Sequence, residues 1–151
     1  MDWKDMATIV GALVALATLT KGVIEYVRQG AQKRAELFMQ MQKRFVESPT
    51  LDSITALLER RDPKLSELSF AEKSTFLRFF EEIAIMVQSG LLKKDVAHYM
   101  FGYYAVICWK SEHFWQGVNR DGAYWSLFRR FASDMTEMEK ASPFHHERFR
   151  F

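Results

Sequence analysis

MATIVGALVALATLT, residues Met6 to Thr20, is an uncharged run close to the N-terminus of a 151-residue chain. A hydrocarbon core of roughly 30 Å asks for about 20 helical residues, so the run needs its borders to span one. Trp3 and Tyr26 bracket it. At about 1.5 Å per residue they stand roughly 35 Å apart on a helix, the spacing of rings at two membrane interfaces. Lys21 can snorkel toward the headgroups on its four-carbon stem, with Glu25 one turn further on. The expectation is therefore an N-terminal transmembrane anchor over residues 1–27, with Trp3, Lys21, Tyr26 and Arg28 at the membrane interface.

Two other readings compete: a buried core helix and a cleaved secretory signal. A signal needs positive charge before the apolar stretch and a small-residue cleavage site after it. Here the start is MDWKD, where Asp2 and Asp5 outweigh Lys4. Positive charge follows instead, at Lys21, Arg28, Lys33 and Arg34. By the positive-inside rule the C-terminal portion is cytoplasmic. Within the run, Ala7, Gly11 and Ala15 recur every four residues, a small-xxx-small pattern that lets helix backbones approach closely in lipid. That pattern points to a homo-oligomer.

Apolar residues make up 48% of the chain, and about 120 residues remain after the anchor, enough for one compact domain and too few for two. Formal charge is +2; leaving out residues 1–27 removes two basic and three acidic groups and gives +3 for the rest. That is too mild for long nucleic acid. Cys108 is the single cysteine, so no intrachain disulfide is possible, and a reducing cytoplasmic setting fits.

Beyond the anchor the punctuation is helical. Residues 31–48 are strong helix formers with an apolar stripe at Leu37, Phe38, Met41 and Phe45, so a long helix is expected to leave the bilayer, with Gly30 as a loosened junction. Pro49 ends that helix or begins the next, whose apolar positions are Leu51, Ile54, Leu57 and Leu58. Ser69-Phe70-Ala71-Glu72 reads as a capping box. Phe76, Phe80, Ile83 and Val87 form the stripe that follows it, and Gly90 stands where a left-handed cap belongs. The uncharged stretch from Val96 to Trp109 is too short and too rich in polar-tipped aromatics for a second span, so it reads as a core helix. After the Asn119-Arg120-Asp121-Gly122 turn, Tyr124, Leu127, Phe128 and Phe131 recur at helical spacing. Strand patterning is sparse. The expected fold is all-α: one transmembrane helix, then a compact cytoplasmic bundle of about five helices over residues 28–140, then a mobile tail over 141–151.

Candidate chemistry is thin. Glu81 and Glu82 are adjacent carboxylates, but neighbours on a helix diverge by about 100°, and bundle metal sites use glutamate and histidine three apart on several helices. A solvated face with an Arg78–Glu82 pair is expected. His98 reads as a core histidine. His145, His146 and Glu147 lack a second ligand cluster, so no metal and no cofactor is expected. No nucleophile elbow or phosphate loop is present, and no catalytic residue is assigned. The better candidate is aromatic and basic: Trp115, Arg120, Tyr124, Trp125, Arg129 and Arg130 can stack a base and hold a phosphate, with ordinary core packing as the plainer alternative. The pairs Lys43-Arg44, Arg60-Arg61 and Lys93-Lys94 can also face anionic headgroups.

Lys33-Arg34-Ala35-Glu36, Phe79-Phe80-Glu81-Glu82-Ile83-Ala84, Gly90-Leu91-Leu92, the block from His98 to Tyr104, and Phe114-Trp115 come in an order that resembles an uncharacterised family of small bacterial proteins. Its members join one N-terminal span to a helical cytoplasmic domain of unknown function. The resemblance covers about residues 3–132 and implies a bacterial inner-membrane setting. It supplies no catalytic residue. The function expected is association, with itself or a protein partner, by the cytoplasmic domain of a single-span protein lying in the lipid bilayer. The alternative is an anti-phage defence effector, in which a nucleotide signal or protein at that domain rearranges oligomeric spans and permeabilises the membrane; it rests on layout alone.

Overall fold

The computed structural model describes residues 2–141, and among them the chain is helical with no strand. Helix α1 runs unbroken over Trp3–Glu47. Gly30 does not interrupt it: good helix formers on both sides carry the ladder through one glycine that costs about 1 kcal/mol. The compact units divide between Leu37 and Phe38, ten residues later than the sequence boundary at 27. The reason is visible in the packing, because Phe38 is the first residue of α1 to join the aromatic core, edge-on to Phe101 at 6.5 Å.

Pro49 begins helix α2 (Pro49–Arg60) at a position whose N–H would be orphaned in any case. Ser48 caps it, its side chain accepting from the Leu51 N–H. Arg61 closes it in the left-handed region at φ 52°, and Asp62 starts a 3-10 turn over Pro63–Ser66 by accepting from the Lys64 N–H. The capping box forms as the sequence indicates. The Ser69 hydroxyl accepts from the Glu72 N–H at 3.2 Å, and the Glu72 carboxylate accepts from the Ser69 N–H at 2.8 Å. Helix α3 (Phe70–Gln88) follows, and Gly90 after it takes φ +72°.

Residues 94–110 form one helical run of three parts: α4 (Lys94–Ala97), a π-helical turn (His98–Gly102) and α5 (Tyr103–Lys110). The π turn inserts one extra residue and shifts the phase of everything after it. Ala97, Phe101, Ala105 and Cys108 are fully buried, while Tyr103 is 49% exposed. Helices α6 (Glu112–Trp115) and α7 (Ser126–Ala141) complete the bundle, so five helical runs follow α1 among the described residues, as expected. The expected tail beyond Ala141 lies outside them.

The core of the unit from Phe38 onward is aromatic. Phe76, Phe79, Phe80, Phe101, Phe114 and Phe128 are all fully buried. Polar ties join the elements at the periphery: the Tyr104 hydroxyl donates to Glu59 at 3.1 Å, and Lys94 pairs with Asp134 at 3.2 Å. Gly102 is required by close approach. A Cβ there would sit 2.9 Å from the His98 ring and 3.3 Å from the Met135 sulfur. We expect Gly102→Ala to destabilise the protein by about 1–3 kcal/mol, the usual cost of overpacking, read as a lower denaturation midpoint by circular dichroism in mild detergent. An unchanged midpoint would mean that the His98 ring has room to move.

Candidate functional site

The segment up to Leu37 is a single helix, and its large apolar side chains as far as Val27 are exposed. Ile9, Val10, Leu13, Val14, Leu16, Leu19, Val23, Ile24 and Val27 are all exposed, and the most apolar 18-residue window has mean hydropathy 1.9 with none of it buried. The helix is long and apolar enough to cross a membrane. Its threonines hide their hydroxyls: Thr8, Thr18 and Thr20 donate to the carbonyls of Lys4, Val14 and Leu16 at 2.8–2.9 Å. Such internal bonds leave no hydroxyl proton unsatisfied, which is what lipid demands of a spanning segment.

Trp3 and Tyr26 are exposed at 79% and 80%, and Lys21 and Arg28 are exposed as well. Ala7, Gly11 and Ala15 fall on one helical face by spacing, and a Cβ on Gly11 would meet nothing within 4 Å. The structure adds two residues that the four-residue pattern missed. A shallow notch is lined by Ala15, Thr18, Leu19, Gly22, Val23 and Tyr26. Counting by three as well as four from Ala15 would have found Thr18 and Gly22.

The aromatic and basic candidates are arranged differently from a stacking site. Trp115 is 7% exposed and its indole donates to the Cys108 carbonyl at 3.0 Å; Trp125 is 2% exposed. Both rings are packed in the core, Trp115 against Trp109, Phe114 and Phe128, so neither has a free face for a base. Arg120 lies over the Trp109 ring at 4.7 Å and donates to the Trp109 carbonyl. Arg129 donates to the Asp121 carbonyl at 2.9 Å. Tyr124 and Arg130 are exposed, and the Tyr124 hydroxyl meets Arg78 at 3.3 Å. The plainer alternative, core packing with surface arginines that brace a turn, describes this arrangement.

The expected Arg78–Glu82 pair is replaced by a contact across helices. Glu82 takes both guanidinium nitrogens of Arg44, from the end of α1, and Arg44 also covers the Phe79 ring at 5.4 Å. Glu81 accepts from the Phe128 N–H at 3.4 Å, in the first turn of α7, where a carboxylate complements the helix dipole. Partial burial raises its pKa above the ordinary glutamate value of 4.5; the Phe128 bond and nearby Arg78 oppose that rise. The acids thus brace elements and face different partners.

Sequence reading missed Lys73, which is 2% exposed. Its ammonium donates to the Gln116 carbonyl at 2.7 Å, and burial lowers its pKa. Its place three and four residues before Phe76 and Leu77 put it on the buried face, a signal available in the sequence. Ser74 beside it has a buried hydroxyl without a hydrogen-bond partner. Cys108 is buried, which pushes its thiol well above the usual range. No group of three or more metal-ligating side chains occurs among the described residues. His145, His146 and Glu147 lie outside them.

No family model matches this chain, and no curated protein or solved structure is significantly similar to it.

The raised pKa of Glu81 has a definite sign. The folded state holds its proton to higher pH than the unfolded state does, so stability rises as pH falls through the folded value and levels off below 4.5. Chemical denaturation of wild type and Glu81→Gln from pH 7 to pH 4 should show the wild type gaining on the variant as acid is added. Parallel profiles would refute the assignment.

Proposed function

We propose that this chain is a single-span protein of the bacterial inner membrane, anchored by the apolar half of α1, whose helical domain associates with itself or a protein partner on the cytoplasmic side and has no catalysis of its own. One observation carries the proposal: a continuous apolar helical surface, from Ile9 to Val27, is left uncovered by the described residues. At about 25 cal/mol per Å2 of apolar surface, a row of exposed leucines, valines and isoleucines is untenable in water, and lipid is the solvent that suits every side of a helix at once. Support for the orientation comes from charge, with Asp2 and Asp5 before the run and Lys21, Arg28, Lys33 and Arg34 after it. Self-association is supported by the small-residue face of Ala7, Gly11 and Ala15.

The defence-effector reading calls for a trigger site. The burial of Trp115 and Trp125 disfavours a nucleotide base stacked on either ring.

The full-length protein expressed in bacteria is expected to stay in the membrane pellet through alkaline carbonate extraction and to leave it with detergent. Release by carbonate would overturn the anchor. In mild detergent, native mass spectrometry should show one defined oligomer. Gly11→Leu should shift it toward monomer without altering helical content, since a Cβ there meets nothing within 4 Å among the described residues. An oligomer indifferent to Gly11→Leu would exclude this face as the interface.

A further inference from the structure

Arg28, Lys33 and Arg34 follow the apolar run on the same helix, and all three are exposed. The ion pairs among the described residues are Lys43–Glu47, Arg44–Glu82 and Lys94–Asp134, so none of them uses these three cations. At 3.6 residues per turn they project roughly 140°, 100° and 120° apart around the axis, within about 9 Å along it. Charges that encircle a helix make a collar. A protein partner docking on one side could meet only part of it, whereas a layer of headgroups through which the helix passes meets all of it.

Helical side chains lean toward the helix N-terminus, which here is the direction of the apolar run. Arg34 shows this directly: its guanidinium reaches back one turn and lies 3.5 Å from where a Cβ on Gly30 would be. A lean of one turn brings the three cationic heads level with residues from about 24 to 30, on either side of Tyr26. Tyr26 is the ring that marks the interface in the membrane reading. We propose that Arg28, Lys33 and Arg34 form a collar that binds the phosphate groups of anionic phospholipids, so that the protein gathers acidic lipid around the cytoplasmic end of its span. The Arg34 guanidinium lies back along the helix over Gly30, in the direction of the bilayer. The inference rests on the membrane reading above and adds to it a ligand class.

Near an anionic surface each such cation multiplies partition about five-fold, so the preference should be large and graded. The test uses full-length protein reconstituted into vesicles of equal phosphatidylglycerol and phosphatidylethanolamine, re-extracted in mild detergent, with the retained lipid quantified by mass spectrometry. Wild type should retain phosphatidylglycerol several-fold over phosphatidylethanolamine. Arg28→Gln, Lys33→Gln and Arg34→Gln should each reduce the ratio, and the triple variant should bring it close to one. Arg28→Lys with Arg34→Lys should preserve it, because charge and not guanidinium shape is what the collar supplies. No preference in wild type, or an unchanged preference in the triple variant, would overturn the collar while leaving the anchor intact. Protein that fails to enter these vesicles would overturn the membrane reading and the collar with it.

Discussion

Phe80 is the contact on which the folded domain turns. Fully buried, its ring lies 4.9 Å from Phe76, 5.5 Å from Phe79, 6.1 Å from Phe45, 6.0 Å from Phe128 and 6.4 Å from Phe131. One side chain of α3 therefore touches rings of α1 and α7 as well as its own helix. Aromatic pairs in tilted and edge-on geometry add about 0.5–1.5 kcal/mol each beyond their buried area. Ring geometry also restricts how the helices can slide, since an edge-on pair loses its alignment over a displacement of a fraction of a ring. The polar ties at the rim, Arg44 to Glu82, Tyr104 to Glu59 and Lys94 to Asp134, hold register over a core that is already specific.

Helix α1 is asked to satisfy two environments with one ladder of backbone bonds. Toward its end, Met41 is buried and Phe45 packs between Phe79, Phe101 and Tyr104, so the last turns are core and not tether. Toward its start every large side chain is exposed. The composition follows that demand. Alanine, leucine and valine, with threonines that bond back to their own helix, occupy the first part, and Phe38, Met41 and Phe45 at three-and-four spacing occupy the last. The helix itself is continuous from Trp3 to Glu47.

Local rules made much of this legible in advance. The Ser69–Glu72 box, Pro49 as a first helical residue, the left-handed Gly90 and the helical periodicity are short-range chemistry, and each appears where the sequence puts it. The failures are long-range. Arg78 was the near partner for Glu82 by helical spacing, but Arg44, distant in sequence, takes that carboxylate through a contact that only tertiary packing can create. Aromatic and basic residues around the 119–122 turn have the composition of a stacking site, yet composition cannot tell a ring that faces solvent from one that faces Phe128. The π turn at His98–Gly102 was invisible because no residue announces it.

The burial of Cys108 has a practical side. Its thiol is fully enclosed and held in the protonated form, which is the unreactive one. An alkylating or spin-labelling reagent added to the intact protein therefore meets a background without reactive sulfur among the natural residues. A cysteine introduced at any exposed position along α1 becomes the sole reporter of its own surroundings, and the natural chain already serves as its blank.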